Sequence, residues 1–146
     1  MDPRVSKLKT VAECETFAVN ARERNAPELA DQARKRAVQI RAESHGAKDD
    51  VERECLQAVY AYEEVLTAKK GTGKRQPASR TWQMIKRHGI IPAVERVVTK
   101  REVSSGFTAL AEMGLMDYAF EAVILRHPET FSEEAIAMSR QRLAAQ

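Results

Sequence analysis

Three long stretches of this chain repeat their apolar residues three and four positions apart, and that spacing fits one kind of secondary structure. Cys14, Phe17, Ala18 and Ala21 fall on one face of a helix predicted over about 11–24. Leu29, Ala33, Ala37 and Ile40 do the same over about 27–44, and Val51, Cys55, Ala58, Val59, Tyr62, Val65 and Leu66 line a third helix over about 51–69. Start and stop signals agree with these limits. Thr10 and Glu13 have the spacing of a capping box, Pro27 suits a first helical turn, and Gly46 suits a helix end. Asp49 and Asp50 favour the positive end of a helix dipole, and Lys69 and Lys70 the negative end.

A chain of 146 residues fits one domain that can bury a core without staples. Apolar residues are 43% and charged ones 31%, the balance of a globular protein. Aromatics are only 5%, so the core must be mostly Ala, Val, Leu and Ile. Cys14 and Cys55 are the only cysteines, too few and too far apart for a disulfide framework or a metal site; small buried hydrophobes in a reducing compartment are expected. The N-terminal run MDPRVSKLKTVAECE carries charges where a signal peptide needs apolar residues, and no run approaches the ~20 apolar residues of a membrane span. A cytoplasmic location and no membrane partner are expected. The first two helices should form a hairpin with small residues face to face. One such hairpin resembles a tetratricopeptide unit, but the pattern occurs once and a solenoid needs repetition.

Beyond the third helix, Gly71–Pro77 breaks regular structure with two glycines and a proline. Gly73-Lys74 fails as a phosphate loop, because Ala68 stands at the first glycine position and Arg75 at the Ser/Thr position. From Trp82 the chain then repeats at an offset of 25. Trp82, Ile85, Gly89, Ile90, Ile91, Val94, Val98 and Arg101 match Phe107, Leu110, Gly114, Leu115, Met116, Ala119, Val123 and Arg126. Each unit reads as a short helix, a glycine turn and a second short helix, with Asp117 as a cap where the first unit has Pro92. Residues 102–106 connect the units, His127-Pro128 stops the second, and Ser132 caps a last helix reaching Leu143. The expected fold is all-α: one compact domain over 1–146 of seven to eight helices, with long helices over 10–70, a basic loop at 71–78, a duplicated αα-hairpin over 79–126 and a closing helix at 132–145.

Charge is distributed very unevenly. The chain as a whole is +3, but residues 69–101 hold ten Lys/Arg against Glu95 alone. Such a segment is evidence about partners, since a mixed surface suffices for solubility. Lys74, Arg75, Arg80, Lys86 and Arg87 are the expected contacts to a phosphate backbone, with little base readout. Ser79 is expected to cap their helix and leave free amides at its N-terminus. A helix-turn-helix fits badly: Ile85 and Glu95 occupy positions that need alanine and an inward aliphatic, and the second unit exposes Glu112, Asp117 and Glu121. Trp82 reads as core rather than a stacking platform, because its counterpart is Phe107.

His45, His88 and His127 all fall at helix C-termini, where imidazolium is favoured. The pairs Glu63-Glu64 and Glu133-Glu134 lack an accompanying ExxH, and no nucleophile elbow or zinc spacing appears. No catalytic residue, metal or cofactor is expected. These observations favour a small non-enzymatic protein that binds DNA or RNA. The alternative is a helical interaction or adaptor module whose basic segment docks an acidic protein surface.

Overall fold

A computed structural model describes residues 1–100 and 105–145. Among them are nine α-helices, one 3-10 turn and no strand. No described helix is long and apolar enough to cross a membrane. The chain divides into two compact units, Met1–Gly46 and Ala47–Gln146, so the boundary falls at Gly46, ahead of the third long helix.

The first unit contains α1 (Pro3–Ser6), α2 (Val11–Glu23) and α3 (Pro27–His45). The short α1 takes the helix count past the expected seven to eight. Its signal is in the sequence as Asp2-Pro3: the Asp2 carboxylate accepts the Arg4 N–H at 2.8 Å, and proline occupies the first turn. The hairpin of α2 and α3 closes on small residues, Ala18 and Ala21 against Ala30 and Ala33, with Phe17 and Leu29 packed beside them. Asn25, at φ 57, makes the turn between them. Gly46 ends α3 in the left-handed conformation.

The helix starts differ in one detail from a reciprocal capping box. Thr10 Oγ1 accepts the Glu13 N–H at 3.1 Å, but the Glu13 carboxylate accepts from Lys9 N–H rather than from Thr10. Asp49, Glu52 and Lys48 repeat this arrangement at the next long helix. Both carboxylates thus fasten the residue before the cap, which sets the angle at which the chain enters.

The second unit is built on α4 (Asp50–Lys70), against which α6 (Ile90–Val98), α7 (Ser105–Glu112) and α8 (Phe120–Arg126) pack. The closing α9 (Glu133–Ala144) lies on α8 and α6, and α5 (Ser79–His88) lies on α6. Cys55 and Ala58 from α4 meet Val94 and Val98 from α6, Val123 and Ile124 from α8, and Phe131 and Ala135 at the start of α9. Ser132 caps α9 through Oγ, as expected, and Glu95 secures that start by accepting the Ser132 N–H at 2.5 Å.

The two 25-residue segments both turn at glycines with positive φ, Gly89 at 89° and Gly114 at 68°. They part company afterwards. α6 begins immediately at Ile90 with Pro92 in its first turn, whereas the second segment passes through a 3-10 turn, Met116–Tyr118, and starts α8 only at Phe120. Asp117 is therefore not the cap expected of it. That position is Ala119, and the Asp117 carbonyl instead accepts from the Arg126 guanidinium at 3.0 Å, which anchors the turn to the end of α8. Arg101 and residues 102–104 lie outside the described residues; α7 starts within the expected connection, at Ser105.

Candidate nucleic-acid interface

The basic segment begins where α4 ends. Gly71 closes that helix in the left-handed conformation, and Gly71–Lys74 form an exposed tip. The loop then folds back on α4. Thr67 Oγ1 accepts the Gln76 N–H at 3.0 Å, and the buried Glu63 carboxylate takes three donors: Arg75 Nη2 at 2.5 Å, the Ala78 N–H at 2.8 Å and the Trp82 indole N–H at 2.6 Å. Glu63 is only 3% exposed, so these donors replace the water it has lost. Arg75 also reaches Glu64 at 3.5 Å and lies over the Tyr60 ring at 6.0 Å from its centroid.

This cluster assigns several residues. Arg75, expected as a phosphate contact, is held by two carboxylates and a ring. Trp82, expected in the core like Phe107, is only half-buried; it packs on Tyr60 with ring centroids 5.2 Å apart, and the bond of its indole N–H to Glu63 holds it at the edge of the helix packing. Ser79 is the first residue of α5 rather than its cap; the cap position is Ala78, whose own N–H Glu63 has taken, and it makes no side-chain capping bond. Glu63-Glu64 is thus a structural pair. Among the described residues no group of three His, Cys, Asp or Glu side chains is placed to hold a metal ion.

Three more of the segment's cations, Arg80, Lys86 and Arg87, lie on α5. Arg80, Gln83, Met84 and Arg87 recur at helical spacing, and with Lys86, His88 and Lys100 they line a surface concavity of about 600 Å³. Among the described residues no carboxylate lies in that wall. Arg80, Lys86, Arg87 and Lys100 are exposed and make no ion pair among the described residues. Partial burial and the charges of Arg96 and Arg87 push the His88 imidazole below its ordinary pKa, so the concavity gains no further charge from it near neutrality. Comparison with known families, curated proteins and solved structures finds no match. What the face does must therefore come from its own chemistry.

A second cavity, of about 420 Å³, adjoins the first and shares Arg80, Met84 and Lys100 with it. Its wall is mainly apolar, with Tyr62, Phe107, Leu110 and Phe120, and it includes a buried ion pair, Arg142 Nη1 to Glu121 Oε2 at 3.0 Å. Arg142 also donates to the Lys100 carbonyl, which fixes the end of α6 at the rim. Sequence reasoning brought Arg80, Lys86 and Arg87 together correctly on one helix and left Lys74 on the loop. It missed Lys100, which was counted in the charge but lies on no shared helical face with α5. It also missed the Glu121–Arg142 pair, whose members are 21 residues apart with no periodic link.

Proposed function

We propose that this is a small, non-enzymatic, cytoplasmic nucleic-acid-binding protein whose α5 face engages the phosphate backbone. The observation that carries the reading is the concavity lined by Arg80, Lys86, Arg87 and Lys100, four exposed cations whose side chains make no ion pair among the described residues, with no carboxylate among the described lining residues. Four like charges side by side cost energy by mutual repulsion, and a polyanion relieves it while releasing its own counterions. Lys74, on the exposed loop tip, would add a further phosphate contact. Arg75 serves by holding the loop against α4. The buried cysteines, both free thiols, suit a reducing compartment. A duplicated hairpin over 79–126 belongs to the same reading: the first copy would carry the basic face, and the second, with Glu112 and Glu121, would keep the framework without it.

Five contacts, from Lys74, Arg80, Lys86, Arg87 and Lys100, give a slope of about −4.5 for log affinity against log salt, at roughly −0.9 per phosphate. Changing Lys86 and Arg87 together to Ala should bring that slope to about −2.7 and weaken binding equally for unrelated sequences. Titrations by fluorescence anisotropy across salt concentrations measure both. A flat slope, or no binding at low salt, refutes the reading in favour of an acidic protein surface as the partner of this face.

A further inference from the structure

We infer that the apolar cavity beside the basic concavity receives one unpaired base of a single-stranded nucleic acid, so that the protein prefers single strands to duplex. The inference rests on the phosphate-binding reading and deepens it. Arg80, Met84 and Lys100 belong to both walls, so a phosphate held by the two cations carries its nucleoside to the rim of the cavity. The cavity volume, about 420 Å³, lies within the roughly 300–1,000 Å³ of small-molecule sites. Tyr62, Phe107 and Phe120 offer aromatic surface, the usual platform for an unstacked base.

The polar groups separate a base from a plain hydrocarbon. Glu121 and Arg142, 8% and 6% exposed at their side chains, place a carboxylate acceptor and a guanidinium donor in the same wall. Tyr62 also lines the wall, and its hydroxyl has no partner among the described residues. A plain hydrocarbon chain gives such groups nothing. The edge of a base carries donors and acceptors together. Entry of a base requires that it leave its stack, which a paired duplex resists and a single strand does not.

The test compares three ligands at one salt concentration with the full chain: a dye-labelled oligothymidylate, its duplex with oligoadenylate, and an abasic strand of equal length. The intact single strand should bind about tenfold more tightly than the other two. Val97→Trp, which adds a ring from the cavity wall, should abolish that preference while leaving duplex affinity and the salt slope unchanged. Tyr62→Phe, which keeps the ring and the fold, should weaken the intact strand about threefold and leave the abasic strand alone. Equal, salt-dependent binding of all three ligands overturns the inference and leaves the phosphate reading standing. Binding of none overturns both.

Discussion

Replacing Glu63 with Ala should be among the most damaging single changes in the second unit. The substitution strips an acceptor from the Ala78 N–H, which is 4% exposed at its residue, and from the indole N–H of Trp82. Each buried donor left without a partner costs about 1–3 kcal/mol. Arg75, a third exposed, can turn to water and to Glu64, so its loss adds about 1 kcal/mol or less. The sum is about 2–7 kcal/mol, a large share of the roughly 5–15 kcal/mol that holds an ordinary domain together. Glu63→Gln keeps the size and one acceptor oxygen but turns an amide N–H₂ toward donors, and should cost about 1–2 kcal/mol. Arg75→Ala should cost about 1 kcal/mol, since Glu63 keeps two donors. Urea denaturation followed by far-UV circular dichroism orders the three variants. If Arg75→Ala proves as costly as Glu63→Ala, the ion pair and not the two neutral donors holds the loop, and the reasoning fails.

Other expectations are simpler to check. Gly89 sits at φ 89 and ψ 168, a region nearly closed to other residues, and an added Cβ would touch nothing nearer than Pro92 Cδ at 3.8 Å. Gly89→Ala should therefore cost about 1–3 kcal/mol through backbone strain alone, and an unchanged urea midpoint would contradict this. Burial pushes the Cys55 thiol up to about 12, with nearby carboxylates adding to the effect, and raises Cys14 also. Neither should react with a disulfide reagent at mild alkaline pH until the chain is denatured; prompt labelling of native protein would argue against both placements. Burial works to raise the Glu54 pKa, but hydrogen bonds from His127 and Arg126 outweigh it and hold the carboxyl below 4.5. Its stabilisation is therefore complete above that value and lost as pH falls through the lower folded one, so Glu54→Gln should flatten the loss of stability below about pH 4.5 seen by thermal denaturation.

Helical content was legible because local chemistry writes it. The spacing of Val51, Cys55, Ala58 and Val59, the caps at Thr10, Asp49 and Ser132, and the glycine at 46 act within a few residues of themselves, and the structure uses each. Asp117 misled because the chain first makes a 3-10 turn over Met116–Tyr118, which moves the helix start on to Phe120 and its cap position to Ala119. The sequence placed Arg80, Lys86 and Arg87 on one helix, and they lie on α5. It could not show that Arg75 is occupied, since that rests on Glu63, twelve residues earlier, turning inward when most glutamates on a helix face water. The wall made by Glu121, Arg142 and Lys100 depends wholly on tertiary packing and leaves no short-range trace.

Trp82 is the sole tryptophan of the chain, and its indole N–H is tied to a carboxylate that also holds Arg75 and the backbone of the loop. The protein therefore carries an intrinsic optical sensor at the junction of α4, the loop and α5. Emission from that ring reports whether the loop is seated, without any label. A ligand that binds on the α5 face and leaves the loop in place should hardly alter it, whereas one that draws Arg75 away should shift its wavelength.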